Sequence, residues 1–104
     1  MLLGSTLDEA YQCFPDNGLS ARYYLTVRKI ISEGTGFNSF SLIIKEKYRN
    51  EEQIAVYDDF TCCEKTARRI FKLFSSEFVT IISAEDILFE LLDEDGDEKR
   101  CRSD

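Results

Sequence analysis

The hydrophobic period of this 104-residue chain changes near residues 58–61, and this change constrains the fold more than any other feature. Before it, apolar and polar residues alternate, which is typical of strands with one buried side. After it, apolar residues recur every three or four positions, which is typical of amphipathic helices. The sequence therefore predicts an α+β fold in which an antiparallel sheet is followed by two C-terminal helices packed on one face.

Three alternating runs predict a three-stranded antiparallel sheet. The glycine-containing segment 33–36 separates the first two runs, and the polar segment 49–52 precedes the third, as hairpin turns would. Tyr24 and Tyr57 fall on the side opposite the predicted core, where they form a candidate partner surface. The predicted core side carries Tyr23, Leu25, Val27, Phe40, Leu42, Ile44, Ile54 and Val56.

Two amphipathic runs predict the helices. Thr61 and Glu64 have the spacing of a capping box at the start of the first helix, and Ser83 is the predicted cap of the second. The apolar run 78–82 between them is interpreted as an extended connection or a short fourth strand near residues 79–82. The apolar stripes of the two helices consist of Cys63, Ala67, Ile70, Phe71 and Phe74, and of Ala84, Ile87, Leu88, Leu91 and Leu92.

Thr6 and Glu9 make a further capping-box pattern, which predicts a short N-terminal helix. The predicted organisation is therefore an N-terminal helical arm (1–20), a single α+β domain (21–92) and a disordered acidic tail (93–104). A chain of this length has room for one hydrophobic core. We expect that core to contain Leu25, Leu42, Val56, Ile70 and Leu88.

The composition argues against a membrane or secreted protein. No segment approaches the roughly 20 apolar residues of a membrane span, and the first residues lack the basic and apolar regions of a secretory signal. Four cysteines without any histidine agree with a reducing compartment and argue against a disulfide framework. We therefore expect a cytoplasmic protein.

The net charge of −7 disfavours generic nucleic-acid binding, although one side of the first predicted helix is basic. Lys65, Arg68, Arg69 and Lys72 form this basic stripe, which would suit phosphates or an acidic partner. Such a run is most often a solvated helix face, and no aromatic residues interleave with these bases. We expect no nucleic-acid partner and retain the stripe as a candidate surface for a protein.

Adjacent Cys62 and Cys63 are the best candidates for reactive chemistry. They fall in the predicted first turn of a helix, where the helix dipole favours the thiolate. Redox motifs separate their thiols by two residues, however, and a thiol nucleophile usually has a histidine partner. The spacing to Cys13 and Cys101 matches no zinc site. Structural cysteines, with Cys63 facing the core, are the ordinary interpretation, and a redox site is the alternative.

Other candidate sites lack the required pattern. The acidic tail has its glycine, Gly96, in the wrong register for an EF-hand calcium loop. The segment 34–36 is glycine-rich but has no following helix or lysine to hold a phosphate. Asp58 and Asp59 are more typical of a cap or turn than of a catalytic carboxylate pair. We therefore expect no enzyme activity and no cofactor or metal.

Three segments resemble a family of small uncharacterised bacterial proteins, a domain of unknown function, over roughly residues 22–92. None of the segments is a chemical fingerprint, so the resemblance implies the fold and transfers no site residue. The segments are Tyr23-Tyr24-Leu25, Ala55-Val56-Tyr57-Asp58-Asp59-Phe60-Thr61 and Ile82-Ser83-Ala84-Glu85-Asp86-Ile87-Leu88-Phe89-Glu90-Leu91-Leu92.

Two functions remain open at this point. We favour a non-enzymatic domain that binds another protein, or a second copy of itself, through the sheet side bearing Tyr24 and Tyr57 or through an exposed strand edge. The alternative is a redox- or ligand-responsive regulator that uses Cys62, Cys63 and the adjoining basic helix.

Overall fold

The computed structural model describes residues 5–14 and 18–94, which form four strands followed by two helices. The strands make one antiparallel sheet in which each strand pairs with the next along the chain. The α+β class with two C-terminal helices is confirmed, whereas the sheet has four strands and not three. The elements are β1 (Ser5–Phe14), β2 (Leu19–Ser32), β3 (Thr35–Tyr48), β4 (Glu51–Thr61), α1 (Glu64–Ser76) and α2 (Ile81–Glu94).

Two-residue turns join the central strands. Glu33 and Gly34 connect β2 to β3 with φ angles of 53° and 81°, and Arg49 and Asn50 connect β3 to β4 with φ angles of 51° and 68°. Turns with left-handed central residues match the natural twist of a hairpin. The predicted hairpin turns are therefore confirmed.

Strand β1 occupies the segment for which the sequence predicts a helical arm, so that prediction is wrong. It pairs with β2 along its length, with a register shift between Thr6 and Asp8. Leu7 is the extra residue of this bulge, and both Leu7 and Ala10 pack against the core. The bulge thus places two apolar residues three positions apart on one side of a strand, which imitates a helical period. Pairing with β2 prevails because an isolated helix of this length is marginal.

The hydrophobic core lies between the sheet and the two helices. We call the sheet side that faces the helices the inner face and the opposite side the outer face. Four of the five residues predicted to meet in the core are buried there, namely Leu25, Leu42, Ile70 and Leu88. The other fully or nearly fully buried apolar residues include Ala21, Tyr23, Phe40, Ile44, Ala67, Phe71, Phe74 and Ala84.

Strand β4 presents the side opposite to the one predicted. Tyr57 pairs with Leu42, which is completely buried on the inner face. Paired residues of neighbouring antiparallel strands share a face, so Tyr57 also points toward the helices. Ile54 and Val56 consequently lie on the outer face, where they are 56% and 47% exposed. Val56 is therefore not a core residue.

Both helices begin at residues other than those predicted. Thr61 is the last residue of β4, and its hydroxyl accepts a hydrogen bond from the Cys63 N–H at 3.2 Å. α1 begins three residues later at Glu64, without a capping side chain. α2 begins at Ile81, so residues 79–82 form no strand. The predicted acidic tail loses its first two residues to α2, and residues 95–104 lie outside the described part of the chain.

Three hydrogen bonds connect the sheet to the helices and to the segment between them. The Tyr23 hydroxyl donates to the Val79 carbonyl at 2.7 Å, the Gln12 side-chain amide donates to the Ser75 carbonyl at 2.8 Å, and the Ile81 N–H donates to the Glu46 carboxylate at 2.5 Å.

Among the described residues, neither helix combines the length and apolar character that crossing a bilayer requires.

The helices cover only part of the strands. β2 and β3 each contain 14 residues and extend about 46 Å, whereas the 13-residue α1 extends about 20 Å. The long axis of the molecule is accordingly 50 Å, compared with 29 and 17 Å for the other two. The turn end of the β2–β3 hairpin projects past the helices, and Ile31 near this end is 72% exposed.

Candidate interaction surface

The outer face of the sheet carries a group of exposed apolar and cationic side chains. Register places them in two adjacent rows that cross the sheet. One row runs from Tyr11 through Arg22 and Lys45 to Ile54, and the other runs from Tyr24 through Ile43 to Val56. We call these seven residues the outer patch.

The apolar members of the outer patch are open to solvent. Tyr11 is 53% exposed at one edge of the sheet, and Ile54 and Val56 are about half exposed at the other. Tyr24 and Ile43 between them are half-buried. Because both helices pack on the inner face, no element of the described chain covers this surface. Contiguous exposed apolar side chains of this kind are typical of interaction sites.

Two cations lie over the tyrosine rings of the outer patch. The Arg22 guanidinium is 4.8 Å from the centre of the Tyr11 ring, and the Lys45 ammonium is 5.4 Å from the centre of the Tyr24 ring. Arg22 and Lys45 are also direct partners on β2 and β3, so two like charges stand side by side. Neither cation forms an ion pair with a described carboxylate.

A polar cluster borders the outer patch at a bulge in β4. Asp58 and Asp59 lie in this bulge, and the Ser41 hydroxyl donates to the Asp58 carboxylate at 3.1 Å and accepts from the Asp59 N–H at 2.8 Å. Arg28 forms an ion pair with Asp59 through two hydrogen bonds. The hydrogen bond from Arg28 lowers the pKa of Asp59, and a hydrogen bond from Ser39 acts in the same direction. The two aspartates thus stabilise a bulge and form no open carboxylate pair.

A groove of about 390 Å³ lies at the start of α2, away from the outer patch. Glu46 on its wall binds the first N–H of α2, so its carboxylate already has a partner. Burial, with a smaller contribution from Glu46, raises the pKa of the nearby Tyr23 to about 12. The groove is lined by Leu19, Glu46, Tyr48, Glu51, Gln53, Thr80 and Ile82.

The structure does not bring the predicted partner residues together. Tyr24 belongs to the outer patch, whereas Tyr57 is half-buried on the inner face and packs against the core. Burial, followed by the nearby Glu85 and Glu46, raises the pKa of Tyr57. The prediction that the two tyrosines share a surface is therefore wrong.

The basic stripe on α1 lies on the far side of the molecule from the outer patch, because α1 packs on the inner face. Lys65, Arg68, Arg69 and Lys72 are all exposed, as the sequence predicts for a solvated helix face. Arg68 donates to the Glu64 carboxylate at 2.8 Å one helical turn away.

The cysteine pair connects β4 to α1. Cys62 and Cys63 are half-buried. Cys62 is disulfide-bonded, contrary to the expectation of reduced cysteines, whereas Cys63 keeps its thiol, so the two are not bonded to each other. Cys63 is the N-cap residue of α1, and its carbonyl accepts a hydrogen bond from the Ala67 N–H at 2.9 Å. Within residues 5–14 and 18–94, no three potential metal ligands form a group that could hold an ion.

Sequence reasoning missed most of the outer patch. Because the sequence predicts a helix in place of β1, it does not assign Tyr11 to the sheet. It assigns Ile54 and Val56 to the core. The pairing of Arg22 with Lys45 depends on the register of two strands and has no local sequence signal.

No protein-family model, curated protein or solved structure matches this chain. The resemblance to a family of small bacterial proteins therefore remains a prediction.

Proposed function

We propose that this protein is a non-enzymatic interaction domain of the cytoplasm that binds another protein through the outer patch. One observation carries the proposal: Ile54, Val56 and Tyr11 are about half exposed on a sheet face that no described element covers. A partner that covers these side chains would remove their apolar area from water, which is the main favourable contribution in most protein association. The sheet backbone holds the patch in place, so binding requires little ordering of the domain.

Matched variants test the proposal. Val56→Glu places a charge in the outer patch, and Ile82→Glu places the same charge on α2, where Ile82 is 91% exposed. We expect the wild type and Ile82→Glu to retain a stoichiometric partner in affinity capture from the native cytoplasm, and Val56→Glu to lose it. Circular dichroism of each variant controls for folding. Absence of any partner, or equal capture by all three proteins, would contradict the proposal.

Native mass measurement separates a foreign partner from a second copy of the chain. Edge-to-edge pairing of two β4 strands is disfavoured by charge. The register that places Ile54 of one copy beside Val56 of the other also places Glu52 opposite Asp58, and like charges directly opposite each other destabilise strand pairing. These features support a foreign partner over self-association through this edge.

The redox- or ligand-responsive regulator is the second candidate. Its support is the position of Cys62 and Cys63 at the junction of the sheet and α1, where a change in thiol state would act on the start of a helix. Comparison of mass and melting temperature before and after treatment with a thiol reductant, which would open the disulfide of Cys62, and with a mild oxidant, which would act on Cys63, tests it. Unchanged values, together with slow alkylation of Cys63, would exclude this candidate.

A further inference from the structure

We propose that the segment which occupies the outer patch is an acidic peptide, with carboxylates that bind Arg22 and Lys45 and apolar side chains that pack on Ile54 and Val56. This inference rests on the proposed function and specifies the chemistry of the partner. The charge of the outer patch is opposite in sign to that of the chain as a whole. The chain has a net charge of −7, yet the charged residues at the centre of the outer patch, Arg22 and Lys45, are both cations, and Glu9 lies beside Tyr24 on the edge strand β1.

The arrangement of the two cations is unfavourable in the isolated domain. Arg22 and Lys45 are direct cross-strand partners, and like charges in this position destabilise a sheet. The chain contains 20 acidic residues, but no described carboxylate pairs with either cation. A carboxylate placed between them would convert the repulsion into two charge-assisted interactions.

The tyrosine rings hold the cations in position for such a ligand. Arg22 lies over Tyr11 and Lys45 lies over Tyr24, in each case within the range of a cation–π contact. A cation packed on a ring in this way keeps N–H donors directed toward solvent, and the guanidinium can bind a carboxylate through two of them. Less side-chain freedom is then lost on binding than for unsupported surface cations.

The surroundings of the cations favour a peptide over a nucleic acid. Ile43, Ile54 and Val56 adjoin them, and these aliphatic side chains suit apolar residues but offer no stacking surface for bases. The tyrosine rings that could stack are covered by the cations themselves.

Three synthetic peptides test the inference. Each contains about ten residues, the length of a typical long strand, with valine at alternate positions and glutamate, glutamine or lysine between them. Backbone amide chemical shifts of the domain are followed during titration with each peptide. We expect the glutamate peptide to perturb the outer patch and to bind roughly tenfold more tightly than the glutamine peptide. The lysine peptide should bind least, and salt of about 0.5 M should reduce the difference.

A pair of double variants supplies the control. Arg22→Gln with Lys45→Gln should abolish the preference for the glutamate peptide. Lys65→Gln with Lys72→Gln removes the same charge from the exposed stripe of α1 and should leave the preference unchanged. Equal effects of the two double variants would indicate a general charge effect and would overturn the inference.

The outcomes separate the two proposals. Equal binding of the glutamate and lysine peptides at the outer patch would overturn the acidic partner and leave the interaction surface standing. Binding of single-stranded oligothymidine at the patch without binding of the glutamate peptide would also overturn it. Failure of all three peptides would count against the acidic peptide, whereas the proposed function fails only if Val56→Glu retains the cellular partner or no partner exists.

Discussion

At the residue scale, polar side chains form stabilising contacts that their positions in the sequence do not predict. Tyr23 is completely buried, and its hydroxyl crosses the core to bind the Val79 carbonyl between the two helices. Arg28 and Asp59 are 31 positions apart in the sequence and form an ion pair, and Asp59 lies in the bulge of β4 with a φ angle of 51°. Each of these contacts joins segments that only the fold brings together.

Replacement of Tyr23 by phenylalanine should lower the free energy of unfolding by about 1–2 kcal/mol, because the buried Val79 carbonyl loses its donor. Urea denaturation near neutral pH measures this. The matched Tyr24→Phe substitution on the outer face should change stability by less than about 0.5 kcal/mol. Equal stability of Tyr23→Phe and the wild type would contradict the importance of this bond.

The same residue gives a prediction for alkaline pH. Burial raises the pKa of Tyr23 from 10.0 to about 12 in the folded protein. A raised pKa means that the folded state favours the neutral hydroxyl, so the associated stability is complete below pH 10 and is lost as the pH rises toward 12. The free energy of unfolding of the wild type should therefore fall more steeply through this interval than that of Tyr23→Phe, as denaturation at a series of pH values would measure.

Asp59 gives the opposite dependence. Its pKa lies below the ordinary value of 3.8 because of the hydrogen bond from Arg28. The stability that this carboxylate contributes is present above pH 3.8 and is lost as the pH falls through the lower pKa of the folded state. Acid denaturation of Asp59→Asn should therefore be less steep than that of the wild type. Glu64→Gln removes a more exposed ion pair and should follow the wild-type curve closely.

At the element scale, the sequence predicted β2, β3, β4, α1 and α2, and it failed where long-range pairing decided the outcome. Period-2 alternation was clear in β2 and β3 because one side of each strand is buried. In β1 the bulge at Leu7 disrupted that period and produced a helical pattern. In β4 all four of Ile54, Ala55, Val56 and Tyr57 are apolar, so only the pairing of Tyr57 with Leu42 determines which side is inner.

The candidate surface was harder to predict than the fold for the same reason. Tyr24 was placed correctly because the alternation in β2 assigns it to the outer side. Apart from Arg22, which lies on the same strand, the other members of the outer patch come from β1, β3 and β4, and their neighbours depend on register. A wrong face for β4 was sufficient to move two of the seven residues from the surface into the predicted core.

The start of α2 depends on a side chain from the sheet. The Glu46 carboxylate accepts a hydrogen bond from the Ile81 N–H, and a carboxylate at a helix N-terminus also interacts favourably with the helix dipole. Glu46→Gln should lower the free energy of unfolding by about 0.5–1 kcal/mol and speed amide exchange in the first turn of α2. Glu52→Gln, an exposed change on β4, is the control and should alter neither measurement. Unchanged exchange in Glu46→Gln would contradict this role.

At the scale of the whole molecule, one core holds the sheet and the helices together. Phe74 of α1 is completely buried in this core, whereas Phe89 of α2 is 59% exposed. A single core predicts cooperative unfolding in which signals from the sheet and the helices are lost together. Truncation of each of the two phenylalanines therefore compares the stability contributed by a buried and by an exposed side chain of the same type.

Phe74→Ala should lower the free energy of unfolding by about 3–5 kcal/mol, because it removes a large side chain and leaves a cavity. Phe89→Ala should change it by less than about 0.5 kcal/mol. Urea denaturation followed by both circular dichroism and tyrosine fluorescence measures the two values and the cooperativity. Similar costs for the two variants would contradict the observed core, and separate transitions by the two probes would contradict a single cooperative unit.

The turn end of the β2–β3 hairpin lies past the helices and outside the core. Because antiparallel strands gain or lose residues in facing pairs, a hairpin of this kind can be lengthened or shortened by two pairs at its turn without reversing the side on which any other residue lies. Hairpin length can therefore vary while the packing of Leu25, Leu42 and Phe74 stays the same. Variants of this chain with a longer or shorter hairpin should therefore retain the same hydrophobic core.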